Sequence, residues 1–223
     1  MTATAVSALL LDLDGTLVDS EPLHRRGYEA FFAHKGWELP DLSVFTGRRA
    51  LDVFTTEPGP WAGLDPRAVL AEVLEHVPDE PAPAVPGARE LIAAARATGT
   101  PVAIVTSAGP EWVQRSLVES LTLEPDSVDL VVTALDVEEG KPHPAGFALA
   151  CSRLDADPAT AVAAEDSPAG VRAALAAGVR HVHGIGTSHP REVLLDAGAV
   201  EVHDDLRPLL SLLPAPWSRV PPR

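Results

Sequence analysis

The sequence predicts an α/β protein, a mostly parallel sheet with helices on its faces, interrupted once by a helical insertion. Three observations carry this prediction. Short apolar runs recur along the chain, and each ends in turn or cap residues as buried strands do. Between them lie stretches of helical composition, and strands separated by helices pair in parallel. The rhythm fails once, between about Ser20 and Pro83, where helical segments occur without a convincing strand pair.

Taken in order, Val6–Leu11 is the first strand and Asp12 ends it. In the insertion, Leu23–Lys35 and Pro66–His76 read as helices, and the Pro- and Gly-rich Thr55–Gly63 as a loop. The exit, from Pro78 to Gly87, carries enough proline for a semi-rigid hinge. Ala88–Ala97 is then a helix, Val102–Thr106 a strand, Glu111–Leu121 a helix and Leu130–Thr133 a strand. Ala145–Leu154 and Ala169–Ala177 are helices around the strand Ala161–Ala164. Val179–Ile185 is a further strand, and Ala199–His203 adds an edge strand. This divides the chain into a core, residues 1–19 and 84–213, a helical insertion, 20–83, and a proline-bearing tail, 214–223, expected to be extended or frayed. There is no internal repeat.

Composition narrows the function. The chain has 223 residues, 17 Lys+Arg against 32 Asp+Glu, and a net charge of −15. That balance opposes binding to nucleic acid or anionic lipid, which needs a basic face. No apolar run approaches the ~18 residues of a membrane span, and the apolar start lacks the charged flank of a signal peptide. The one cysteine, Cys151, excludes an intrachain disulfide, fits a reducing cytosol and reads as a small buried hydrophobe. Aromatics are 4% of the chain, too few for a stacking platform; Trp37, Trp61 and Trp112 read as packing residues. The expectation is a cytoplasmic enzyme or small-molecule binder, a monomer or weak homodimer.

The chemistry sits at strand ends. Leu9–Leu11 runs into Asp12-Leu13-Asp14-Gly15-Thr16, delivering two carboxylates to the C-terminal edge of the sheet, where open α/β sheets bind ligands. Alone, this pattern fits a solvated turn equally well. The second strand ends in Thr106-Ser107, hydroxyls placed to bond an anion or simply to cap a helix. Glu139-Gly140-Lys141-Pro142-His143-Pro144 restrains one lysine in a chain with few lysines. Ala161–Ala164 then runs into Glu165-Asp166-Ser167-Pro168-Ala169-Gly170, two more acids at a strand end. Four acids from two strands repel one another unless a divalent cation sits among them, and oxygen-only ligation suits Mg²⁺.

With all four motifs in order, the chain resembles the haloacid dehalogenase-like superfamily over nearly its whole length. The resemblance implies a Rossmann-like core with a small helical cap inserted after the first motif, matching the break at Ser20. It implies Asp12 as nucleophile towards phosphorus, forming an aspartyl-phosphate, and Asp14 as acid and then base. Thr106 and Ser107 bond the transferring phosphoryl oxygens, and Lys141 pairs with the phosphate and with Asp12. Mg²⁺ is held by Asp12, the Asp14 backbone carbonyl and Asp166, with Glu165 as a further or outer ligand.

Within the superfamily, Asp14 argues against a dehalogenase and, because both lack the second aspartate, against a phosphonate hydrolase too. A phosphatase for small sugar or polyol phosphates and a mutase resembling beta-phosphoglucomutase remain; a non-catalytic phosphometabolite-binding module is a further alternative. Thr16, where mutases more often have valine, and the absence of a lysine in Ala68–Val77 favour hydrolysis. His24, Arg48 and Arg49 are the candidates for substrate contact from the cap; a solvated helix face or surface ion pairs are the plain alternatives. The expected partner is a small phosphorylated metabolite.

Overall fold

The computed structural model describes residues 6–214. Its strands are β1 (Leu9–Leu11), β2 (Val102–Val105), β3 (Leu130–Val132), β4 (Val162–Glu165), β5 (His181–Ile185) and β6 (Glu201–His203). They form one parallel sheet in the order β3-β2-β1-β4-β5-β6. The helices are α1 (Glu21–Lys35), α2 (Ala50–Thr56), α3 (Pro66–His76), α4 (Ala88–Thr98), α5 (Pro110–Arg115), α6 (Ala145–Arg153), α7 (Pro168–Ala176) and α8 (Arg191–Asp196).

β1 lies at the centre, with Leu9 in register with Val102 on one side and Val162 on the other. Both its faces are covered, so Leu9, Leu10 and Leu11 are all fully buried and the strand reads as an unbroken apolar run. Leu9, Leu11 and Ile104 pack with Leu91 and Ile92 of α4 and Val113 of α5. Leu10, Ala103 and Ala163 pack with Phe147 of α6, Val171 of α7 and Leu194 of α8. The chain runs outward from β1 in one direction and then from β4 in the other. Such a switch point leaves a crevice beyond the carboxyl ends of the strands on either side of it. Those ends carry Asp12, Thr106 and Glu165-Asp166.

Helices α1 to α3 bury a third apolar group of their own, Phe31, Phe32, Phe45, Phe54 and Trp61 with Val53, Val69 and Val73. Four of the five phenylalanines of the chain are there, and Phe54 meets Trp61 edge to face at 5.2 Å. Few aromatics, concentrated in one place, give this short segment a core.

Several elements differ from expectation. Helix α2 and helix α8, of seven and six residues, are too short to display a helical period. The segment 111–121 is α5 followed by one turn of π-helix, Ser116–Ser120. Most strands are shorter than the apolar runs that announced them, since a residue such as Val179 is buried ahead of β5 without pairing in it; β4 keeps its expected length one residue later and takes in Glu165. Residues 215–223 of the expected tail lie outside the described residues. Among the described residues, no helix is long and apolar enough to cross a membrane.

Candidate active site

Asp12 follows β1 directly, and its backbone N–H donates to the Ala164 carbonyl at 3.1 Å, the last rung tying β1 to β4. The chain then turns back at Gly15, whose φ of +80° is open to glycine at little cost. A side chain at Gly15 would also run into the Asp166 carboxylate and Ser188. Beyond β2, Thr106 is buried, and its hydroxyl accepts from the Ala108 N–H at 3.0 Å, turning the chain. Glu165, the last residue of β4, and Asp166 just beyond it are fully buried.

Lys141 reaches into this crevice from the loop before α6 and is itself buried. Its ammonium donates to Asp12 Oδ1, to Glu165 Oε1 at 2.6 Å and to the Val105 carbonyl at 2.9 Å. Glu165 Oε2 accepts from the Ser167 N–H at 3.1 Å and hydroxyl at 2.9 Å, while the same hydroxyl caps α7 by accepting from Gly170 N–H. Both oxygens of Glu165 are thus engaged. Asp166 is the reverse, with neither carboxylate oxygen in a hydrogen bond although both are buried.

The electrostatics follow from this packing. Burial pushes Asp12 up to about 8, with Glu165 and Asp14 adding to the rise and Lys141 opposing it. Burial, then Glu165 and Asp12, holds Asp166 well above the usual carboxylate range. Burial works against the charge on Lys141, but Asp12 and Glu165 outweigh it and hold the ammonium above its ordinary range. Asp12, Glu165 and Asp166 offer oxygens within 4.8 Å of one another. With all three carboxylates ionised, three negative charges would face the one of Lys141 and leave two uncompensated, which is why burial without a cation holds Asp12 and Asp166 towards their protonated forms. A divalent cation facing the orphaned Asp166 oxygens removes that imbalance, and an all-oxygen donor set is the kind hard cations take. The residues present fit such an ion.

Asp14 is turned away from this cluster. Its Oδ1 accepts from the Ser20 hydroxyl at 2.6 Å and from the Trp112 indole N–H at 2.8 Å. It lines a cavity of about 480 Å³ between α5 and the helical insertion, together with His24, Tyr28, Ser107 and Trp112. The His24 ring lies 5.3 Å from that of Trp112, so of the insertion's expected contacts His24 is the one set beside Asp14's surroundings.

The two arginines have other partners. The Arg49 guanidinium donates to the carbonyls of Ala134 at 3.1 Å, Val137 at 3.2 Å and Glu138 at 2.8 Å, and its Nε lies 3.2 Å from Asp52. It clasps the insertion to the loop that carries Lys141, and with Thr106, Ser107 and Lys141 it lines a small cavity of about 20 Å³. Arg48 pairs with Glu57 at 2.7 Å within the insertion, the plain alternative for that residue. The reason is local: the 134–138 loop presents unpaired carbonyls, and a fork of N–H donors on α2 satisfies them. Nearby, Ser107 donates to the Gly47 carbonyl at 3.3 Å. Gly47 (φ +72°) passes so close to Ser167 that any Cβ would collide with it.

Trp112 and Ser20 were not legible as site residues. Trp112 lies 98 positions from Asp14 in sequence, and nothing in its neighbourhood sets it apart from a packing tryptophan. Ser20 carried a signal that can be used: a hydroxyl just after a catalytic-type acidic turn and ahead of a proline-initiated helix.

Comparison with known proteins agrees with the motifs. A model of haloacid dehalogenase-like hydrolases matches residues 6–178. Validoxylamine A 7'-phosphate phosphatase of Streptomyces hygroscopicus subsp. limoneus is 37% identical over 193 residues, 84% of this chain and 89% of that protein. Hexitol phosphatase B of Escherichia coli strain K12 is 31% identical over 190 residues, 81% of this chain and 84% of that one. Among solved structures, a variant of CbbY from Rhodobacter sphaeroides in complex with xylulose-(1,5)bisphosphate superimposes with a TM-score of 0.79 at 27% identity, covering 94% of this chain and all of that one.

Proposed function

The chain belongs to the haloacid dehalogenase-like hydrolases, and on that premise we propose that it hydrolyses small sugar or polyol phosphate monoesters through an aspartyl-phosphate on Asp12. The observation that carries this is the Lys141 ammonium held between Asp12 and Glu165, beside an Asp166 whose oxygens have no protein partner. The similarity to two proteins named as phosphatases supports hydrolysis over a mutase reaction.

In this reading an Asp12 oxygen attacks phosphorus as the ester bond breaks, and Asp14 gives its proton to the departing alkoxide. Asp14 then removes a proton from water, which attacks phosphorus, releasing inorganic phosphate and freeing Asp12. Lys141 lessens the repulsion between carboxylate and phosphate, Thr106 donates to the phosphoryl oxygens, and Ser107 does so on exchanging the Gly47 carbonyl for one of them. Ser20 and Trp112 fix the Asp14 carboxyl at the mouth of the cavity, where the leaving oxygen sits. Asp12, the Asp14 carbonyl and Asp166 would hold Mg²⁺, which when bound neutralises charge on the phosphoryl group. Glu165 holds Lys141 and the start of α7. Residues 20–83 act as a cap that keeps bulk water from the site.

The test is a panel of sugar and polyol monophosphates with Mg²⁺, reading released phosphate. Turnover of several members is expected. No release from any member rejects hydrolysis, and conversion of beta-glucose 1-phosphate to glucose 6-phosphate without comparable free phosphate substitutes the mutase.

A further inference from the structure

We infer that the substrate's alcohol half is uncharged or carries an amine, offers an apolar face, and has no second phosphate. This rests on the phosphatase reading above and concerns the leaving-group side of Asp14.

The 480 Å³ cavity there is amphipathic. Its insertion wall is one face of α3, with Leu70, Val73, Leu74 and Val77 along it, and Leu74 is 60% exposed. An exposed leucine on an apolar stripe at a cavity mouth suits the C–H face of a ring or chain rather than ions. The opposite wall carries Asp14, Glu111, Trp112 and Arg115.

A second phosphate needs a cation able to face it; the arginines and lysines around this cavity are committed, and His24 on its lining sits against the Trp112 ring and shares a neighbouring cavity with Glu21. Arg115 pairs with Asp79 at 2.7 Å and with Glu119 at 2.9 Å. Arg49 is spent on three carbonyls and Arg48 on Glu57. Lys35 pairs with Glu72 at 2.5 Å. Arg25 lines a separate cavity of about 50 Å³ in company with Glu21. Glu111, in contrast, has no ion-pair partner among the described residues and stands on the wall itself. The unbalanced charge facing the alcohol is therefore negative: a phosphate there is repelled and an ammonium attracted.

Matched pairs test this: fructose 6-phosphate against fructose 1,6-bisphosphate, and glucose 6-phosphate against glucosamine 6-phosphate at slightly acidic pH. Each is measured as kcat/KM with Mg²⁺ and as calorimetric binding to the Asp12→Asn variant. The monophosphate should lead the bisphosphate by roughly tenfold or more in both readouts. Glucosamine 6-phosphate should at least match glucose 6-phosphate, and Glu111→Gln should lower that ratio severalfold. Leu74→Arg should raise the bisphosphate-to-monophosphate ratio about tenfold. A bisphosphate that equals or beats its monophosphate, or an amine ratio indifferent to Glu111, overturns the inference while leaving hydrolysis standing. Absence of all turnover rejects the phosphatase reading instead. The binding series then still decides this inference, and failure of every member to bind counts against it.

Discussion

Lys141 Nζ stands 2.6 Å from Glu165 Oε1 while it also donates to Asp12 Oδ1, so one buried ammonium joins the ends of β1 and β4. Lys141 therefore has a structural task beside the catalytic one proposed for it. Lys141→Met keeps the stem and removes the charge, leaving three buried carboxylates without a cation. Stability should fall by about 3–5 kcal/mol, the scale for stripping a partner from a buried ion pair. Denaturant unfolding measures this. Turnover should fall about 10²- to 10³-fold, and a variant of unchanged stability would show that the pair carries no net load in the fold.

The two acids at the end of β4 should separate on metal removal and return. Asp166 has free oxygens and Glu165 has none. Mg²⁺ should raise the melting temperature of the wild type, since a ligand that binds only the native state stabilises it by mass action. Asp166→Asn should abolish that rise. Glu165→Gln should lower the melting temperature without added metal yet keep a rise on titration. Equal loss in both variants would make Glu165 a direct ligand.

The Trp112 indole N–H donates to Asp14, which makes Trp112 a positioning residue in the proposed mechanism. Trp112→Phe keeps the ring and removes the donor. With a sugar phosphate, kcat should drop about tenfold with KM little changed, a loss on the scale of one hydrogen bond to a charged group. With p-nitrophenyl phosphate, whose leaving group hardly needs a proton, the drop should shrink. An equal loss with both substrates would reduce Trp112 to packing.

Arg49→Ala removes the clasp between α2 and the 134–138 loop. Hydrogen exchange should accelerate in both segments, and stability should fall by roughly 1–3 kcal/mol for the carbonyls left without donors. A rise in KM with unaltered exchange would return Arg49 to the role of a substrate-facing charge.

These residues show what sequence carries and what it does not. β1 and β4 were legible because strands buried on both faces are continuous apolar runs, and the acids that end them mark the sheet edge. Asp12, Glu165 and Asp166 meet because a parallel sheet brings strand ends together whatever their distance in sequence, and Lys141 joins them from the loop before α6. The contacts of Trp112 and Arg49 were not legible. Those of Arg49 depend on how the inserted helices sit over the core, and that of Trp112 on how α5 packs beside the turn after β1; no local pattern encodes either. Short helices such as α2 and α8 fall below the length at which a period shows.

The most direct test follows the phosphoryl group. Radiolabelled substrate is mixed with the enzyme, quenched in acid before steady state, and the protein is digested to locate bound label. Transient label on the peptide containing Asp12 is expected, absent from Asp12→Asn together with turnover. Full turnover with unlabelled protein, or an active Asp12→Asn variant, would contradict the assignment of Asp12 as nucleophile.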